Sequence, residues 1–236
     1  MKKPLISVVM SVYNGERYLK GAILSILSQD FTDFEFIIVN DGSTDKTLDI
    51  IKEFHENDSR IKIISREKKG LIASLNQGID IAQGDFIARI DADDIAMPNR
   101  FSQQLEFIKE NNLSICGTWA TKINEVGQKV GVITYPPVDN RIKIFTLFHN
   151  PFIHPSVMFK KSVFITIGGY NKNYTHSEDY ELWTRFVFKH KAGNIPRELL
   201  QYRIHSGQIT QKNKLMMRVR GLIVRILSVF RFLIRF

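Results

Sequence analysis

Short apolar runs alternate with amphipathic runs through the first half of this 236-residue chain, and that alternation constrains its fold more than any other feature. Residues 5–13, 34–40, 61–65 and 85–91 are apolar almost throughout, as strands buried on both faces must be. Residues 18–29, 46–57, 71–83 and 100–111 carry apolar positions at helical spacing. Strand and helix in strict turn predict βαβ units and a mainly parallel sheet with helices on both faces. After residue 113 the pattern changes. Residues 114–121 and 129–133 read as a hairpin around Gly127, 140–148 as a short helix, 154–159 as a strand, 177–189 as a helix and 199–203 as a last strand. Residues 1–207 are expected to form one α/β domain, Rossmann-like in its first half, followed by a separate tail over 208–236. The apolar N-terminus is broken by Ser7 and Ser11 and has no small-residue cleavage site, so it is read as a first strand.

The segment Asp85-Phe-Ile-Ala-Arg-Ile-Asp91-Ala-Asp93-Asp94 ends an apolar strand with three carboxylates. Ligands of open α/β sheets bind outside the carboxyl ends of the strands. Like charges this close need a cation or strong donors, and hard oxygen ligands favour Mg²⁺ or Mn²⁺ shared with phosphates. An acidic turn capping the next helix would use the same residues.

Five further segments fall where such a fold would gather them. Asn40-Asp41-Gly42-Ser43-Thr44-Asp45 follows the second strand, and Val12-Tyr13-Asn14-Gly15 the first. Asp41 stands where the strand ends, which capping alone does not require, and Tyr13 offers a ring to stack on a base or to cover the sheet end. Lys68-Lys69-Gly70 leads into a helix carrying Asn76, a candidate ligand border. Glu178 and Asp179 lie in the first turn of a helix, where the macrodipole alone would favour them, or where one could act as general base. Arg203 and His205 follow the last strand, placed for phosphate or metal or for a purely structural role.

Taken together, these segments resemble a family 2 glycosyltransferase of the GT-A fold. The match is carried in order by Ser7 to Asn14, Ile38 to Asp45, Gly70 to Asn76, Gly84 to Asp94, His154-Pro-Ser-Val-Met, Gly168-Gly-Tyr170, Glu178 to Trp183 and Tyr202 to His205. The resemblance implies an inverting transferase that moves a sugar from a nucleotide-sugar donor, a uridine one first of all, to a hydroxyl of a glycan or lipid-linked acceptor. It assigns Val12, Tyr13 and Asp41 to the nucleoside, and Asp91 to the ribose or the metal's surroundings. Asp93 becomes the direct ligand of Mn²⁺ or Mg²⁺, with Asp94 the alternative and His205 completing the metal and diphosphate surroundings. Asp179 becomes the catalytic base and Glu178 an acceptor contact. One departure stands out. Many relatives have an Arg-Asn pair where this chain has Leu75-Asn76, so any donor contact made by that arginine is missing or supplied elsewhere. A nucleotidyltransferase would want a Gly-rich basic triphosphate loop near the first strand, which Val12-Tyr13-Asn14-Gly15-Glu16 does not provide. A non-catalytic glycan- or nucleotide-binding protein would not need Asp93, Asp179 and His205.

The net charge of +9 is concentrated at one end. Residues 211–236 hold seven basic side chains and no acidic ones, leaving +2 for the rest. A near-neutral domain with a basic tail argues against nucleic acid as a partner. Over 215–236, Leu215, Val219, Leu222, Ile226, Val229 and Leu233 share one helical side, and Arg218, Arg220, Arg225, Arg231 and Arg235 the other, with Val224 and Phe232 intruding. No stretch is long enough to span a bilayer, so the tail is expected to lie at a membrane interface with its arginines meeting anionic lipid. Packing of the helix on the catalytic domain or on another subunit is the alternative. The single Cys116 excludes an intrachain disulfide and fits a reducing compartment; with the tail, the protein is expected in the cytoplasm at the inner face of the membrane.

Overall fold

The computed structural model describes residues 3–208 and 214–234; the side chains of residues 214, 215, 217 and 218 are not among those described. The first half builds β1 (Ile6–Val12), α1 (Leu19–Leu27), β2 (Phe34–Asp41), α2 (Thr47–Asn57), β3 (Ile61–Arg66), α3 (Leu71–Ile81) and β4 (Phe86–Asp91). These strands lie side by side and parallel in the order β3-β2-β1-β4. The expected alternation is therefore realised, and its physical basis is visible in the strands. Alternate residues point to opposite faces of a sheet. In β1, Val8 and Met10 join a core with α1 and α2, while Val9 joins a second core with α3. Apolar runs are needed because both faces are covered. The fit is tight at Gly78 of α3, where a Cβ would come 2.7 Å from Val9 Cγ1.

The second half comprises β5 (Ile95–Ala96), α4 (Arg100–Glu110), β6 (Ile115–Ile123), β7 (Lys129–Ile133), α5 (Asp139–Thr146), β8 (Met158–Lys160), α6 (Lys161–Ile167), α7 (Glu178–Val187), β9 (Ala192–Arg203) and α8 (Lys214–Ile234). The sheet continues β4-β8-β6-β9-β5, with β7 beside β6. Three elements differ from expectation. Residues 154–159 begin as a 3-10 turn, His154–Ser156, and only β8 enters the sheet, antiparallel between β4 and β6. Pro155 has no N–H to give a ladder, which limits the strand. β9 starts at Ala192, well before residue 199. Pro196 argues against a strand there, and the register against β6 does shift between Thr118 and Ala120, which accommodates it. The short α6 has no counterpart in the sequence expectation.

β5 follows β4 by three residues yet pairs with β9 at the far end of the strand order. The second half of the sheet thus curls round and returns the end of β9 to the Asp91–Asp94 turn. This closure positions the site.

The tail folds as α8 and packs against α7. Val224 is fully buried, and Phe232 meets Phe188 with ring centroids 5.7 Å apart. The arginine side is where the structure departs from expectation. Arg231 reaches Glu181 of α7 and Arg220 the carbonyl of Asn173, so both turn to protein rather than to lipid. Val224 and Phe232 break the helical pattern because they are the apolar contacts on this domain-facing side. Lys212, Arg235 and Phe236 lie outside the described residues, as does the side chain of Arg218.

Candidate active site

The carboxyl ends of β1, β2 and β4 are neighbours, since Val12 pairs with Asn40 and Ser11 with Asp91. Helices α1 and α2 lie on one face and α3 on the other, so this edge is a topological switch point, where ligands of such sheets bind. The loops after β1 and β2 are laced together. Asn14 N–H donates to Ser43 Oγ at 3.0 Å, Thr44 N–H to Asn14 Oδ1 at 2.8 Å and Gly15 N–H to Thr47 Oγ1 at 2.8 Å. Val12 is buried, whereas Tyr13 is 45% exposed with Lys68 Nζ 3.5 Å from its ring centroid. Asp41 is buried and accepts from Lys69 N–H at 2.9 Å and Gly70 N–H at 2.7 Å, with Arg66 Nη1 at 2.7 Å. Its carboxylate fixes the 66–70 loop against the strand end. Gly42 permits this approach: its φ is +75°, and a Cβ there would lie 2.7 Å from the Lys68 nitrogen.

Asp91, Asp93 and Asp94 bring one carboxylate oxygen each within 4.8 Å of one another. Each has a distinct setting. Asp91 is paired with the buried Arg89, whose Nη1 donates to Asp91 Oδ2 at 2.6 Å. Burial pushes Asp91 up to about 6 despite Arg89, with Asp93 and Asp179 adding to the rise. Asp93 Oδ2 lies 2.9 Å from His205 Nε2. Asp94 is fully buried; Oδ1 accepts from Arg203 N–H at 2.9 Å, and Oδ2 has no partner. Burial, then the charges of Asp93 and Asp91, hold Asp94 well above the carboxylate range. An orphaned buried oxygen within an all-carboxylate cluster beside an imidazole fits a hard divalent cation, which would supply the missing charge.

The helix α7 carries Glu178 and Asp179 in its first turn, and the charge of Asp179 reaches Asp91. Asp179 Oδ1 accepts from Tyr180 N–H at 2.7 Å and Oδ2 from Asn150 Nδ2 at 2.6 Å. Burial raises Asp179 in spite of these donors. Glu178 is buried with Oε2 unpartnered, and burial plus the charge of Asp179 push it up to about 7. Behind the pair, His154 Nε2 and the Tyr170 hydroxyl are 2.7 Å apart, and burial followed by the Arg89 charge keeps the imidazole neutral, well below its usual range.

Two expected ligand residues have other partners. Asn76 spends both ends of its amide on the backbone of Tyr170, accepting from its N–H at 3.0 Å and donating to its carbonyl at 2.9 Å. It holds the Gly168-Gly169-Tyr170 turn. Arg203 is buried; Nε donates to the Asp93 carbonyl at 2.9 Å, and Nη1 to the carbonyls of Asn124 at 3.1 Å and Glu125 at 3.3 Å. It straps β9 to the acidic turn and to the β6–β7 hairpin, a structural use of a side chain read as a phosphate contact. Leu75 is buried in the α3 core, so the place of the relatives' arginine offers no cation; Arg66 stands beside Asp41 instead. Arg89 and Asn150 join the site without having been expected there. Arg89 had a signal, since residues i and i+2 of a strand share a face and Asp91 is two residues on. Asn150 had none, because its partner is 29 residues away.

A parallel nucleotide-type sheet with an acidic cluster at its switch point and a second carboxylate pair on α7 is the arrangement of a GT-A glycosyltransferase. Sequence comparison says which. The model described as Glycosyl transferase family 2 matches residues 7–169, and the chain belongs to this family. It is 37% identical over 215 residues to the O-antigen biosynthesis glycosyltransferase WbnJ of Escherichia coli, covering 89% of this chain and 84% of that one. It is 38% identical over 217 residues to the putative glycosyltransferase EpsE of Bacillus subtilis, covering 89% and 77%. Among solved structures, S. aureus TarS 1–349 in complex with UDP-GlcNAc superposes with a TM-score of 0.78 at 19% identity, covering 98% of this chain and 72% of that one. The mannosyltransferase PcManGT of Pyrobaculum calidifontis, in complex with GDP-Man and Mn²⁺, gives 0.73 at 16% identity, and this chain spans only 65% of its length.

Proposed function

We propose that this glycosyltransferase moves a sugar, with inversion, from a uridine diphosphate sugar to a hydroxyl of a glycan or lipid-linked saccharide during surface-polysaccharide synthesis, at the cytoplasmic face of the membrane. The observation that carries the reading is the gathering of two acidic groups, Asp91-Asp93-Asp94 after β4 and Glu178-Asp179 at the start of α7, near enough that the Asp179 charge acts on Asp91 and the Arg89 charge on both. Val12, Tyr13 and Asp41 are assigned to the nucleoside, and Asp91 to the ribose side. Asp93 and Asp94, with His205, would hold Mn²⁺ or Mg²⁺. When bound, such an ion neutralises charge that develops on the departing diphosphate. Asp179 takes the proton of the acceptor hydroxyl as that oxygen attacks the anomeric carbon from the face opposite the leaving group. Its raised pKa makes it a stronger base than a free aspartate, and Asn150 fixes the oxygen that receives the proton.

The uridine donor and polysaccharide role draw support from TarS, bound to UDP-GlcNAc, and from WbnJ, named for O-antigen biosynthesis. GDP-Man in PcManGT makes guanosine donors the second choice. Incubation with a panel of UDP- and GDP-sugars and Mn²⁺, scored for release of nucleoside diphosphate, tests the reading. Release from one or more UDP-sugars is expected; release of pyrophosphate from nucleoside triphosphates instead would overturn it.

A further inference from the structure

The helix α8 is mounted inside out. A helix on the surface of a water-soluble domain turns its apolar stripe to the core and its charges to solvent. Here the polar side faces the protein. Arg231 Nη2 donates to Glu181 Oε1 at 2.8 Å, Ser228 Oγ to the Thr146 carbonyl at 2.9 Å, and Arg220 Nη1 to the Asn173 carbonyl at 2.8 Å. With Val224 these residues occupy an arc of roughly 80° at 3.6 residues per turn. The opposite side carries Val219, Leu222, Ile226, Val229, Phe230 and Leu233, between 41% and 62% exposed. A contiguous apolar face of this kind marks an interaction surface.

We propose that this outer face seats on an anionic lipid bilayer, with α8 lying in the plane of the interface. Charge selects the occupant. The 211–236 segment carries no acidic residue, and while Arg220 and Arg231 turn to protein, Arg225 is exposed beside the apolar face. Two copies joined through this face would bring two cationic helices together with no acid on either to answer them, whereas anionic headgroups answer both charge and apolarity. From residue 219 to 234 the face runs about 24 Å at 1.5 Å per residue, and no described helix is long and apolar enough to cross a membrane, so α8 lies on the bilayer.

The mounting ties the bilayer to the chemistry. Glu181, which anchors Arg231, sits on α7 one turn beyond Glu178 and Asp179. Thr146, which receives Ser228, ends α5, four residues before the Asn150 that holds Asp179. The membrane-seated helix is thus fastened to both segments that set the proposed base. On the transferase reading above, from which this last step follows, the acceptor is a saccharide on a lipid carrier presented from the membrane side.

The test is flotation of the full chain with vesicles of phosphatidylcholine alone or with phosphatidylglycerol. Binding to the mixed vesicles is expected, about fivefold weaker in Arg225→Ala. It should be lost in a Leu222→Asp, Ile226→Asp, Phe230→Asp variant whose melting curve and nucleotide-sugar hydrolysis match the parent. A parent that floats with neither vesicle overturns the proposal. So does a dimer, seen by analytical ultracentrifugation, that the triple substitution dissolves without changing flotation. Flotation intact with no nucleotide-sugar turnover would instead sink the transferase reading and leave the membrane surface standing.

Discussion

Glu178 and Asp179 are consecutive residues, both raised by burial, and the charge of Asp179 raises Glu178 further. A base must be deprotonated to act, so a raised pKa delays the active form, and kcat/KM should climb with pH along an acid limb that lies above the titration of a free aspartate. Asp93→Ala should abolish the Mn²⁺ dependence of nucleotide affinity, read by titration calorimetry with and without the ion. The orphaned oxygen of Asp94 and the raised Asp91 imply that metal and protons compete for one cluster. The rise in Tm on adding Mn²⁺ should therefore be larger at pH 8 than at pH 5, and an equal rise at both would contradict it.

At the scale of elements, α7 is the organiser. Glu181 is 1% exposed and pairs with Arg185 at 2.6 Å and Arg231 at 2.8 Å, while Arg185 also donates to the carbonyls of Ile167 and Gly169. One carboxylate thereby joins α7, α8 and the turn before Tyr170. Glu181→Ala would leave two guanidinium groups short of their counter-ion, and a loss of about 3 kcal/mol is expected from urea unfolding, with faster tryptic cleavage in α8. None of this was legible in the chain, because a Glu in a first helical turn reads as a dipole partner and its long-range contacts leave no local trace. The parallel half of the sheet was legible, since burial on both faces writes itself as apolar runs. β9 was half-hidden by Pro196, and the closure that brings Arg203 to Asp94 spans 109 residues. The candidate site was readable in residue type and only partly in use. Asn76 and Arg203 turned out to hold backbone, and a sequence does not distinguish a side chain aimed at ligand from one aimed at a loop.

For the whole molecule, a sheet that curls back on itself sets an acidic cluster at one edge, and a helix pair carries the proposed base and an outward apolar face. The account stands or falls on Asp179 as the group that accepts the acceptor's proton. The direct measurement is turnover of a donor sugar by Asp179→Asn, with UDP affinity determined on the same preparation. General-base catalysis is typically worth ~10²–10⁴-fold, so kcat should fall by that order while nucleotide affinity stays near the parent value. Turnover equal to the parent's, with affinity likewise unchanged, would contradict the assignment.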